Sequence, residues 1–340
     1  MEDVWKGNVT PISDYLSKEE LSVIEQASLM ETNWDDKQWG IPAYGFTYGI
    51  AYDKEAMRTA GVDPEHPFTT WDEFMECCRK LKEAGITPLG MGLKDGFLPA
   101  WIGIFLGQQN LDSVNEMIDL MSGNESFTDK KYAEWLYKIE ELKNAGYINE
   151  DILSLDLYQG QQTIESGKAA MTLHTQAYAV SLEKSLGTDK IGFARAPVFG
   201  NGKFADSIAS PSQVYVIPKS AKHKEGAAKF LMFLQEDENI KSLYEMANVM
   251  MPNVNFKEEW LTSEIDKQVM KWKAEKGNFC YQLYFAPMFE TDGLIPTVQK
   301  MFSEDLPPEG AAAELEETLE KCREQNPEVH EAFINWSIAE

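Results

Sequence analysis

Hydrophobic positions recur along the chain at helical and strand periods in turn. The most regular helix opens at Thr70. Thr70 and Glu73 stand three apart as a capping box, in which hydroxyl and carboxylate satisfy free backbone donors of the first turn. Phe74, Cys77, Cys78 and Leu81 follow at i, i+3, i+4 and i+7, and Gly85 supplies the left-handed stop. The same period predicts helices over 128–145, with Tyr132, Leu136, Ile139 and Leu142 inward, and over 222–235, with Ala227, Phe230, Leu231 and Leu234 inward. A last long helix starts at Pro308 and buries Ala312, Leu315, Leu319 and Cys322. Shorter helices are predicted over 53–60, 101–111 and 159–166, and a longer one over 258–273, where Trp260 and Trp272 pack.

Runs rich in β-branched residues predict strands over 86–92, 168–174, 190–196 and 213–218. Residues 41–52, IPAYGFTYGIAY, differ from all of these: aromatic and β-branched, broken by glycines, without charge. That pattern predicts one extended, mostly buried strand, suited to crossing between domains. Strands alternating with helices give an α/β layered fold, and 340 residues suffice for two domains.

Charge then narrows the function classes. The chain carries 31 Lys and Arg against 56 Asp and Glu, a net charge of −25. Such a surface repels phosphate backbones and anionic lipid, so neither nucleic acid nor a membrane surface is an expected partner. No apolar run reaches the roughly 18–20 residues that span a bilayer. Cys77, Cys78, Cys280 and Cys322 show no metal-binding spacing and read as buried thiols. The opening Met1-Glu2-Asp3-Val4-Trp5 has neither the basic start nor the apolar core of a signal peptide. Either the protein is cytoplasmic, or the numbered sequence starts inside a longer one.

Signatures of catalysis and of cofactors are absent from the sequence: no G-x-S-x-G, Walker A loop, G-x-G-x-x-G after a strand, or H-E-x-x-H. No cofactor or metal is therefore expected. His66, His223 and His330 lie in charged surroundings and read as solvated. His174 ends an apolar strand, where it is either a satisfied core group or a polar ligand contact. Asp95 and Asp206 come nearest to isolated acids, both in glycine-containing loops. Aromatic and uncharged polar residues gather instead at loops and strand ends: Trp34 and Trp39; Tyr44, Phe46 and Tyr48; Phe97 and Trp101; His174, Gln176 and Tyr178; Tyr281, Tyr284 and Phe289. Rings cover the C–H faces of a sugar, and amides and hydroxyls pair with its hydroxyl fringe.

Five segments in order carry a resemblance: IPAYGFTYGIAYDKEAM from Ile41, TTWDEFMECCRKLKEAGITPLGMG from Thr69, ESGKAAMTLHTQAYA from Glu165, QVYVIPKSAKHKEGAAKFLMFL from Gln213 and PPEGAAAELEETLEK from Pro307. Together they resemble the carbohydrate-type extracellular solute-binding proteins of ABC importers, the maltose-binding-protein-like group. The resemblance implies a two-lobe periplasmic-binding-protein type II fold with crossing hinge strands and an incomplete N-terminal lobe. Residues 1–45 plus 213–275 would form lobe 1, and 46–212 plus 276–340 lobe 2 with helices packed on the hinge. The first crossing would be 43–48 and the second 207–214. It further implies a carbohydrate held between the lobes, without catalysis, by Tyr44, Phe46, Tyr48, Phe97, Trp101, His174, Gln176, Tyr178, Ser210 and Tyr284. Delivery would be to the permease subunits of an ABC transporter. Aromatics stand where the maltose-binding member has a carboxylate in its first crossing, so maltose itself is not the expected sugar. The leader and opening strand–helix units of the family, roughly 60–80 residues, are expected to be missing. Localisation would be extracellular or periplasmic, with membrane tethering only through a leader or lipid anchor outside this sequence. The competing readings are a glycan-active hydrolase and a receptor for a peptide, polyamine or glycerophosphodiester.

Overall fold

A computed structural model of the chain describes residues 1–187, 189–277, 279 and 285–337. Its strands are β1 (Val9–Thr10), β2 (Asn33–Trp34), β3 (Lys37–Gln38), β4 (Gly40–Gly45), β5 (Tyr48–Asp53), β6 (Thr87–Leu89), β7 (Ala169–Thr175), β8 (Ile191–Ala194) and β9 (Ser212–Pro218). They build two principal sheets. The smaller runs β1-β9-β4, all antiparallel; the larger runs β6-β7-β5-β8, with β6 parallel to β7 and the other pairs antiparallel. β2 and β3 form a separate hairpin.

The run 41–52 is two strands, one in each sheet. The chain leaves β4 at Gly45, passes through Phe46 and Thr47, and re-enters as β5 at Tyr48. Its backbone donors explain the break. Gly45 N–H reaches Met250 C=O at 3.3 Å, Phe46 N–H reaches Pro211 C=O at 3.4 Å and Tyr48 N–H reaches Ala209 C=O at 2.9 Å, so the crossing bonds to two other segments rather than to one partner strand. Gly49 is required where β5 meets β8: a Cβ there would lie 2.4 Å from the Phe193 ring and 2.6 Å from the Ala194 carbonyl.

Each sheet has its own apolar core. In the smaller body Ile12, Leu16, Ile24, Ile41, Ile217, Ala228 and Leu231 pack together. In the larger, Phe74, Cys78 and Leu81 of the helix Trp71–Glu83 join Trp135, Leu136 and Ile139 of the helix Lys130–Asn144 and the stripe Ala312, Leu315, Leu319 and Cys322 of the helix Pro308–Gln325. The Thr70–Glu73 capping box is formed on both sides, and Gly85 has φ +78°. Cys77, Cys78 and Cys322 are buried free thiols, and burial pushes Cys77 up to about 12 and Cys322 up to about 11; Cys280 lies outside the described residues.

Three placements differ from the sequence pattern. Phe230, expected inward, is 57% exposed and stacks on exposed Phe233; the helix Lys224–Phe233 buries Leu231, as expected, together with Ala228. His330, expected in solvent, is half-buried with its Nε2 2.9 Å from Ser122 C=O. Tyr244 and residues 261–269, expected with the smaller body, pack on the second face of the larger sheet. There Tyr244, Leu261, Ile265 and Val269 share a core with Ala51, Ile164, Val180 and Phe193. That face is apolar because β5 and β7 are buried on both sides, and a strand buried on both faces needs cover on both.

Candidate binding site

Where the crossing enters the larger sheet, aromatic rings gather in one row. Phe97 and Trp101 lie four apart on the helix Phe97–Leu106, which puts them on one face, with centroids 6.3 Å apart. Trp101 is half-buried and touches Tyr48 of β5, at 5.2 Å, and His174 of β7, at 5.3 Å with planes at 85°. His174 in turn meets Tyr178 at 4.2 Å, on the helix Gln176–Leu186 that begins where β7 ends. Sheet register supports the gathering, since Tyr48 is opposite Thr175 and Gly49 opposite His174. Phe97 is 56% exposed and forms the open end of the row; His174 and Tyr48 form its buried floor.

The polar atoms of His174 and Tyr178 are fixed by neighbours. His174 Nδ1 accepts the Thr175 N–H at 2.7 Å, so a neutral ring carries its proton on Nε2. The Gln161 carboxamide sits at that Nε2, and hydrogen bonding there assigns its oxygen to face the ring. Burial pushes the His174 pKa down to about 3, so the ring is neutral at physiological pH. The Tyr178 hydroxyl donates to Gln161 C=O at 3.1 Å. Burial, with the nearby Glu165 carboxylate, raises its pKa, so it stays a donor. The row is thus electrically neutral, with the His174 and Tyr178 rings held by hydrogen bonds at their edges.

The other expected contacts lie around this row. Tyr44 and Phe46 pair with each other, T-shaped at 5.3 Å, on the crossing before Tyr48. Ser210 is buried and accepts the Thr47 hydroxyl at 3.0 Å. Gln176 is fully buried, and its carboxamide accepts the Thr47 N–H at 2.7 Å and donates to Asn248 C=O at 3.3 Å. Tyr284 lies outside the described residues, as does Tyr281. Thr47, Gln161 and Asn248 were not singled out by the sequence. Their partners lie 129, 13 and 72 residues away, and no local period signals such pairs.

The two acids that sequence marked as most isolated are both engaged. Asp95 accepts the Phe97 N–H at 3.3 Å and the Leu157 N–H at 3.1 Å. Burial would raise the Asp206 pKa, but hydrogen bonds from Lys276, at 2.5 Å, and from Arg195 outweigh it and hold the carboxyl below its usual range. Among the described residues, no group of three His, Cys, Asp or Glu is placed to hold a metal. A cavity of about 790 Å³ opens at the other end of the larger sheet, among Thr87, Asn149, Gln159, Gln162, Lys168 and their neighbours. No aromatic ring lines it, and it is not part of the row.

Two sheets joined by crossing strands, with rings at the crossing, point to a receptor fold. The model of the bacterial extracellular solute-binding protein family matches residues 4–241. The chain belongs to this family. Curated relatives include the sn-glycerol-3-phosphate-binding periplasmic protein UgpB of Shigella flexneri, 27% identical over 209 residues, 58% of this chain and 45% of the relative. The same protein of Escherichia coli strain K12 is 27% identical over 201 residues, 56% of this chain and 43% of the relative. The chain spans less than half the length of these curated relatives. Solved structures extend the likeness across the chain. A chitin oligosaccharide binding protein superposes with TM-score 0.81 at 23% identity, covering 94% of this chain and 80% of that one. The bacterial solute receptor AcbH, described as preferring β-D-galactopyranose, gives 0.79 at 17%, covering 95% and 81%. A solute-binding protein of Thermotoga lettingae bound with α-D-tagatose gives 0.75 at 17%, covering 94% and 81%. These likenesses establish the two-lobe type II binding-protein fold of this extracellular family member. Among its described residues, no helix is long and apolar enough to cross a membrane.

Proposed function

We propose that the protein binds a carbohydrate, a mono- or oligosaccharide, between its two bodies and presents it to the permease of an ABC importer without breaking bonds. The observation that carries this reading is the neutral row Phe97, Trp101, Tyr48, His174 and Tyr178, set where the crossing enters the larger sheet. Ring faces at that position suit the C–H faces of a pyranose, and a neutral imidazole with fixed edges adds shape without charge. Tyr44 and Phe46 would supply the facing rings from the crossing, and Ser210 would lie behind them. Sugar ligands in the names of the structural relatives support the same class. Binding without turnover fits the engaged state of Asp95 and Asp206, the two acids that the sequence marked as most isolated.

The curated relatives favour a second reading, a small phosphorylated polyol such as sn-glycerol 3-phosphate. Thermal unfolding in the presence of chito-oligosaccharides, galactose, tagatose and sn-glycerol 3-phosphate separates the two. A ligand at about 100 times its Kd adds roughly 2.7 kcal/mol to the folded state, a readily measured rise in Tm. A rise with a sugar that is recovered unaltered supports the first reading. A rise with glycerol phosphate alone supports the second, and reducing-sugar release would move the protein among hydrolases.

A further inference from the structure

Gln176 is a fully buried polar side chain at the meeting point of three segments that link the bodies. The first is the crossing itself. Gln176 N–H donates to Thr47 C=O at 2.9 Å, while its Oε1 accepts the Thr47 N–H at 2.7 Å, so one residue holds both polar faces of Thr47. The second segment is reached through Thr47, whose hydroxyl donates to Ser210 Oγ at 3.0 Å. The third is 248–253: Gln176 Nε2 donates to Asn248 C=O at 3.3 Å. Asn248 is itself fixed, with left-handed backbone at φ +55°, its Oδ1 accepting Lys184 Nζ at 2.5 Å. That third segment continues into the smaller body, where Pro252 C=O accepts the Glu25 N–H at 2.9 Å. Thr47, Ser210 and Asn248 are all buried.

We propose that Gln176 is a positioning residue of the hinge: by clamping the Thr47 backbone it sets the angle between the bodies before ligand arrives. Hinge motions are taken up by φ/ψ changes at a few residues, and Thr47 lies between the end of β4 and the start of β5. Rotation there must break two hydrogen bonds that water does not reach, and buried groups left unpaired are costly. An apolar side chain of similar length would keep the backbone bond from Gln176 N–H to Thr47 C=O but remove the side-chain bonds to Thr47 N–H and Asn248 C=O, and so loosen the joint. The inference rests on the receptor reading for the use of the motion, not for the clamp itself.

Its test needs no ligand. Nitroxide labels on Glu83→Cys in the larger body and Lys229→Cys in the smaller, whose native side chains are 64% and 72% exposed, report the distance between the bodies by pulsed electron paramagnetic resonance. The labelled protein carries Cys280→Ser, since the other three thiols are buried. One narrow distance is expected in the unliganded protein, and a broadened or shifted distribution with Gln176→Met. An unchanged distribution with Gln176→Met, even with a lowered Tm, would overturn the clamp. Hydrogen exchange of the otherwise unaltered protein gives a second measure should that variant not fold. The Thr47 amide is expected to exchange at least about a hundredfold more slowly than a solvent-exposed loop amide; exchange at the loop rate overturns the proposal. Failure of every sugar to bind would sink the receptor reading and leave these two results standing.

Discussion

The Trp101 indole meets the His174 imidazole edge to face, centroids 5.3 Å apart and planes at 85°, and so joins the helix Phe97–Leu106 to the end of β7. This contact makes a row of rings out of two separate elements. Half-buried Trp101 is its middle member, with Tyr48 and Phe97 as further neighbours.

Trp101→Ala is therefore expected to weaken sugar binding more than any other single truncation in the row. Loss of a large ring face is worth roughly 2 kcal/mol, or about thirty-fold in Kd. Trp101→Phe should recover part of that loss. Titration calorimetry checks both, and a Trp101→Ala protein with unchanged affinity would remove the row from the site.

His174 gives stability a pH dependence of known sign. Its pKa is about 3 in the fold, pushed down by burial, against about 6.5 for an unhindered histidine. The unfolded chain therefore takes up more protons between these values, and stability, complete above about pH 6.5, falls as pH falls toward 3. His174→Gln should flatten the fall of Tm between pH 7 and pH 5. Because the ring is already neutral above pH 6.5, ligand affinity should not change between pH 7 and pH 8 on its account.

Glu31 has the opposite slope. Burial raises its pKa to about 7 from an ordinary 4.5, outweighing its hydrogen bonds from Ser212, while its buried Oε2 has no hydrogen-bond partner among the described residues. The folded protein holds the extra proton here, so this group's contribution is complete below about pH 4.5 and is lost as pH rises toward 7. Glu31→Gln should raise Tm at pH 8 and leave it nearly unchanged at pH 4.5. Calorimetric scans at the two pH values read this directly; an equal shift at both would place the effect elsewhere.

The capping box is a control far from the rings. Thr70→Ala removes the hydroxyl that accepts the Glu73 N–H at 3.3 Å and should cost about 1 kcal/mol. Sugar affinity should be unaffected. A large loss of affinity would mean that the helix Trp71–Glu83 couples to the site.

What could be read from the sequence follows from range. The Thr70–Glu73 box and the stripe Ala312, Leu315, Leu319 and Cys322 are local, within a few turns of one helix, and the structure contains both. The family resemblance sets a crossing at 43–48, but the local pattern of 41–52 does not show the break at Phe46 and Thr47, because it depends on carbonyls of Ala209, Pro211 and Met250 far along the chain. Gln176 reads locally as a polar residue beside aromatics, and only its bonds to Thr47 and Asn248 show it facing inward. Phe230 illustrates the converse. The helical period allows it on either side of the stripe, and the smaller sheet takes Ala228 beside the expected Leu231.

The most direct test of sugar capture at the crossing is a calorimetric titration of the whole chain with chitin and xylan oligosaccharides, galactose and tagatose. Saturable binding of one sugar molecule per chain, with the sugar recovered intact, is the predicted result. No saturation with any of them, or cleavage of the sugar in the cell, would contradict it.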